Sequence, residues 1–302
     1  MIQINEPRDY SSYGNAKDDY GPRLDLTVWL LTGVAALFLG LRLYCKLWRR
    51  RPFWWDDYFL VASWMALAGA CSLITAAVCL GFGQHSSAII GSHWSRILLF
   101  TNAAGFGTIL AALWSKTSFA LTMLRISEGW VRSFIYFVIV TVNLVLGASA
   151  VIQWVQCWPP EKIWHPSYPG SCLPNRYILT YNTFSSIYSG AMDILLALLP
   201  WKVIWKVAVN RKERLGLVVA MSMGVFAGAM SISKLIIIPS IGGPDIINTV
   251  NVMIFGVAEG AITIMATSIP ILRVLFQYLR TTARNRRLEE DKTSDTAESP
   301  RR

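Results

Sequence analysis

An apolar run from Ile97 to Leu124 carries a lysine, Lys116, about two helical turns before its charged end at Arg125. The run is long enough to cross a bilayer, which takes about 20 residues, and a cation that deep costs about 2.5–3.5 kcal/mol on insertion scales. The rest of the chain must answer it with a lipid headgroup, a water-filled cavity or a buried carboxylate. This places the run at the centre of an all-α helix bundle, with the other intramembrane charges turned towards it.

Six more apolar runs frame it: Leu24 to Leu47, Tyr58 to Gly81, Phe134 to Gln156, Tyr177 to Val203, Leu215 to Ser240 and Ile246 to Leu272. Only 15% of the 302 residues are charged, against roughly a quarter in a soluble domain, so the composition is that of a polytopic membrane protein in contact with the lipid bilayer. The net charge of +10 comes from short basic stretches between the apolar runs. That is the pattern of cytoplasmic loops and not of a nucleic-acid surface, so no nucleic-acid partner is expected. Lys and Arg concentrate after runs one, three and five and in the tail. The bias predicts seven transmembrane helices with the N-terminus outside and the C-terminus cytoplasmic. Residues 1–23 form a short polar extracellular tail without the features of a cleavable signal, 24–280 the seven-helix domain, and 281–302 a disordered cytoplasmic tail. No internal repeat of the kind many transporters show is evident.

Counted from the cytoplasmic ends, Lys116 lies about eight residues deep and Asp193 about ten, within roughly one turn of each other. A Lys116–Asp193 pair would relieve both insertion penalties. Nearer the interface, Arg42 and Arg125 can pair with Asp56 and Asp57. Together these six form an inner polar network, either a switch whose rearrangement signals across the membrane or a static assembly device. Glu259 sits near the middle of run seven and Lys234 in the outer half of run six. With Gln153, Asn251 and Tyr181 they are the candidates for a ligand pocket, alongside Asn143, Asn248, Trp154 and Tyr188. Interhelical hydrogen bonds without a cavity are the competing account. Glu259 and Asp193 are expected at different depths, which speaks against a carboxylate dyad, and no catalytic residue is singled out.

Run seven holds no lysine, so a Schiff-base pigment is not expected, and no cofactor is implied. His85, His93 and His165 match no metal-ligand spacing. Cys157 and Cys172 flank a Pro- and Trp-rich loop on the non-cytoplasmic side. A disulfide there closes a loop of fifteen residues, worth about 3 kcal/mol, with two free thiols as the alternative. Cys45, Cys71 and Cys79 read as buried small apolar side chains, Cys45 also as a weak palmitoylation candidate.

Several short pieces occur in a fixed order relative to the runs: Asp56-Asp57-Tyr58, Gly81-x-Gly83-x-His85, Lys116-x-Ser118 through Leu124-Arg125, Cys157 to Gly170-x-Cys172, Asp193 through Leu199-Pro200, and Glu259 through Ile269-Pro270-x-Leu272-Arg273. In these the chain resembles the fungal rhodopsin-domain family of integral membrane proteins, related to the satratoxin-cluster membrane protein and to fungal receptors with a cysteine-rich extracellular domain. The resemblance covers roughly residues 25 to 280. It implies a receptor-like seven-helix protein of the cell membrane, and in some members a link to secondary-metabolite gene clusters. Two departures stand out: no cysteine-rich segment precedes run one, and Phe255 replaces a tryptophan that often precedes the run-seven acid.

The expected function is receptor-like sensing without retinal, with a small lipophilic ligand and a cytoplasmic signalling partner. The chain has neither an Asp-Arg-Tyr triplet nor an Asn-Pro-x-x-Tyr motif, so coupling of the animal-receptor type is not assumed. The alternative is a membrane-bound biosynthetic enzyme, for example a cyclase acting on a lipophilic intermediate. A transporter is a weaker third reading.

Overall fold

Apolar stretches of this length satisfy their backbone hydrogen bonds internally, and each becomes a helix. The computed structural model describes residues 20–48, 52–83, 91–125, 127–165, 167–204, 211–237 and 249–269. Six helices in chain order are α1 (Gly21–Trp48), α2 (Trp55–Cys79), α3 (Gly91–Leu124), α4 (Trp130–Val155), α5 (Asn175–Ile204) and α6 (Arg211–Ile237), and α7 (Thr249–Ile269) follows. By length and hydropathy α1 to α4 and α7 can each cross a bilayer. The other two have the length, and α5 carries a stripe of small polar residues along one side. Helix α3 begins at Gly91, ahead of the expected Ile97, so His93 lies in its first turn and not in a loop. His85, Asn248, most of the expected tail 1–23 and all of the expected tail 281–302 fall outside the described residues.

Large apolar side chains point outward and charges inward, the reverse of a soluble protein. Leu26, Leu37, Phe137, Leu144 and Phe226 are exposed, whereas Arg42, Lys116 and Glu259 are fully buried. Two apolar cores flank α3. One joins it to α1, α2 and α7 through Leu60, Leu67, Ile74, Ala111, Val257 and Ile264. The other joins it to α4 and α5 through Leu113, Phe119, Val138, Val142 and Leu196. Sharing both cores makes α3 the central helix of the bundle.

Between α4 and α5 the chain forms a small hairpin. Strands β1 (Cys157–Trp158) and β2 (Ser171–Cys172) pair antiparallel, with Cys157 opposite Cys172 and a disulfide joining them. His165 Nδ1 lies 3.0 Å from Ser95 Oγ, which ties the hairpin to the start of α3. Of the other cysteines, Cys45 and Cys71 are buried, but Cys79 is exposed, contrary to expectation. It ends α2 on the side turned away from the core.

Helices α5 and α6 approach closely because glycines line their contact. A Cβ on Gly228 would lie 2.8 Å from Ile194 Cγ1 and 3.0 Å from the Gly190 carbonyl oxygen, and one on Gly224 would lie 2.5 Å from Ala197 Cβ. Small residues let membrane helices pack backbone to backbone, where dispersion replaces the absent hydrophobic drive. Gly228→Leu is therefore expected to wedge α5 from α6 and cost about 1–3 kcal/mol, as overpacking does. A lowered unfolding midpoint of the detergent-solubilised protein would register it; an unchanged midpoint would mean the contact tolerates a side chain.

Candidate functional site

Charges buried in a bundle persist only when paired and hydrogen-bonded. Lys116 on α3 donates to Asp193 Oδ2 on α5 at 2.7 Å and to Glu259 Oε1 on α7 at 2.8 Å. Lys234 on α6 donates to Glu259 Oε2 at 2.5 Å, and Ser189 Oγ on α5 donates to Glu259 Oε1 at 2.7 Å. Two ammoniums and two carboxylates thus knit four helices, with formal charges in balance. Glu259 and Asp193 were expected at different depths, yet they share one ammonium. Counting residues from run ends assumes that all helices start in one plane, and it ignores the reach of a lysine stem.

A second cluster lies one to two turns away. Arg42 on α1 spreads its guanidinium over three acceptors: Asp57 Oδ1 at 3.1 Å, Asp56 Oδ2 at 2.7 Å and the Thr267 carbonyl of α7 at 2.6 Å. Lys46 donates to Asp57 Oδ2 at 2.5 Å, and Arg125 pairs with Asp56 while its guanidinium sits 4.4 Å over the Trp54 ring. Asp56 and Asp57 occupy the first turn of α2, where the helix dipole favours acids. Lys46 is a member that sequence reasoning passed over as one more basic residue at a helix end. Its position four residues after Arg42, on the same helical face, was the available signal.

Two strands of hydrogen bonds connect the clusters. On α3, two residues after Lys116, Ser118 Oγ donates to the Asp56 carbonyl at 2.6 Å. On α7, Thr263 Oγ1 donates to the Glu259 carbonyl at 2.8 Å and Thr267 Oγ1 to the Thr263 carbonyl at 2.7 Å, ending at the carbonyl that Arg42 binds.

Beside the first cluster is a cavity of about 400 Å³ between α3, α4, α5, α6 and α7. Lys234, Glu259 and Ser189 form one end, and Gln156 and Asn175 lie at the other, next to the disulfide hairpin. Over α5 it runs from Asn175 to Ser189, about 21 Å at 1.5 Å per residue. Of the pocket candidates, Glu259, Lys234 and Gln153 line it; Asn251 and Tyr181 do not. The Tyr181 hydroxyl instead donates to the Val145 carbonyl at 2.9 Å, and Asn251 falls off the Val252, Gly256, Glu259 stripe that faces the cavity. Trp154 packs on Phe106, Tyr188 donates to Thr141, and Asn143 bonds Thr117, so these three serve helix contacts. Among the residues missed were Asn102, Ser149, Asn182, Ser185 and Ser186. On α5, Asn175, Asn182, Ser186, Ser189 and Asp193 fall seven, four, three and four residues apart, a helical period that marks one face. Among the described residues no group of three or more His, Cys, Asp or Glu side chains is placed to hold a metal ion.

The family model described as "Fungal rhodopsin domain" matches residues 41–278. A curated relative, the "Polyenoic acids biosynthesis gene cluster protein Ba17b" of Metarhizium anisopliae, is 24% identical over 229 residues, which is 72% of this chain and 60% of the relative. The chain thus spans only about three-fifths of the curated relative it matches.

Proposed function

The chain belongs to the fungal rhodopsin domain family of helical membrane proteins, and on that premise we propose that it is a receptor-like sensor that binds a small molecule in the cavity beside Glu259, without retinal. All seven helices cross the cell membrane in this reading, with the N-terminus outside and the inner cluster facing a cytoplasmic signalling partner. The basic loops support that orientation, and the outward-facing apolar side chains support the lipid contact. One observation carries the proposal: the cavity ends on Glu259, whose carboxylate and main-chain carbonyl begin the hydrogen-bonded connections to Arg42 and Asp56. A ligand that contacts this end of the cavity in one arrangement and not another shifts the balance between them, and only such differential binding can signal.

Ser118→Ala tests the coupling, because it removes one link between the clusters and neither a charge nor a cavity residue. It is expected to cost only about 1 kcal/mol of stability. Cells expressing it should reach wild-type amounts at the membrane yet respond more weakly than wild type to a lipophilic culture extract that activates the wild type. A response equal to wild type would contradict the coupling.

A second reading rests on the relative's name, which ties that protein to a biosynthesis gene cluster, and on the two carboxylates gathered at Lys116. In it the chain is a membrane-bound enzyme acting on a lipophilic intermediate, with Glu259 and Asp193 available for proton transfer. Product formation by microsomes containing this protein alone, abolished in Glu259→Gln, would decide for it.

A further inference from the structure

Hydroxyl groups inside this bundle are mostly spent on carbonyls of their own helices, as at Thr101, Thr117, Thr122, Thr263 and Ser268. The cavity departs from that habit. Ser149, Asn182, Ser185 and Ser186 line it, and no side-chain hydrogen bond to the protein engages them among the described residues. Ser149 and Ser185 are each only 5% exposed. Asn102 Nδ2, in the same lining, is a buried donor without a partner. The serine hydroxyls and the Asn182 amide thus open on the cavity, where water or an occupant completes their hydrogen bonds.

The charged end adds a second constraint. Lys116 and Lys234 are matched by Asp193 and Glu259, so no surplus charge remains to recognise an ion. An anionic or cationic head would give up hydration for a site with no net counter-charge to meet it. Between the polar groups lie Ile109, Leu146, Ile178, Leu179 and Val252, which suit a hydrocarbon skeleton.

Resting on the receptor reading of this same cavity, we infer that the ligand is a neutral, oxygen-bearing small molecule: an apolar skeleton with two or more hydroxyl or carbonyl groups. Its hydroxyls and carbonyls exchange hydrogen bonds with the serines of α4 and α5 and with Asn182. A bare hydrocarbon would leave those groups unpaired, and a carboxylate would upset the charge balance beside Lys234.

The test reads the chemistry of the cavity without needing the ligand. Ser185→Cys and, separately, Ser149→Cys are made in a Cys79→Ser background and exposed in detergent to methanethiosulfonates bearing hydroxyethyl, sulfonatoethyl, trimethylammonioethyl or butyl groups. Each rate is normalised to the reagent's rate with free 2-mercaptoethanol. The hydroxyethyl reagent is expected to react at least about tenfold faster than either charged reagent, a modest demand given the cost of burying an unpaired charge. It should also outpace the butyl reagent. A charged reagent equal to or faster than hydroxyethyl, a butyl reagent equal to it, or no reaction of either variant with any reagent would overturn the inference. Labelling needs no signalling. The expected selectivity with no agonist response would therefore sink the receptor reading and leave the cavity's chemistry standing, and the opposite result would do the reverse.

Discussion

Glu259→Ala should unfold a large part of the protein at temperatures where the wild type is intact. Its carboxylate takes Lys116 and Ser189 on one oxygen and Lys234 on the other. Without it the buried Lys116 keeps only Asp193, and the part-buried Lys234 loses its only ion-pair partner among the described residues. Removing one member of a buried pair costs about 3–5 kcal/mol, a large part of the roughly 5–15 kcal/mol that holds a typical domain. Glu259→Gln keeps the volume and an acceptor but leaves one surplus positive charge, so its loss should be smaller. Adding Lys234→Met to Glu259→Gln restores neutrality, and the double variant should be more stable than Glu259→Gln alone. Unfolding midpoints of the purified protein in detergent would show that order. A double variant as unstable as the sum of its parts would mean that the four charges do not act as a unit.

The second large effect is expected at Arg42, where geometry can be separated from charge. Arg42→Lys keeps the positive charge but replaces a planar fork with one ammonium on a flexible stem. The guanidinium reaches Asp56, Asp57 and the Thr267 carbonyl in three directions. An ammonium in its place leaves at least one of these buried acceptors unpartnered. Each such group costs about 1–3 kcal/mol, so Arg42→Lys should lose about that much, and Arg42→Met the 3–5 kcal/mol of a broken buried pair. Since Thr267 belongs to α7, amide hydrogen exchange should rise at the end of that helix in both variants. A neutral Arg42→Lys would mean that charge alone matters there and that the fork does not tie α1 to α7.

What could be read in advance followed from cost. A lysine two turns inside an apolar run demands a partner, and Asp193 at matching depth was the nearest carboxylate. The two acids that open α2 likewise point to Arg42 and Arg125. Positions that cost nothing to misplace were harder. Serines and asparagines on α5 look like ordinary membrane-helix residues, and only their shared face distinguishes them. Tyr181 and Asn251 were chosen by residue type, without asking which face each presents. Lys46 was hidden by its place at a helix end, where a cation usually reaches out to water. The joining of Asp193 and Glu259 on one ammonium depends on how helices are staggered along their axes, which a linear sequence does not record.

The whole account turns on whether α3 and α5 are held by a charge pair buried within the bundle. A double-mutant cycle on Lys116→Met and Asp193→Leu, read from unfolding free energies in detergent, measures this directly. The account predicts that each single change destabilises and that the pair together recovers much of the loss, with a coupling energy of about 2–3 kcal/mol. Losses that simply add, within about 0.5 kcal/mol, would contradict it.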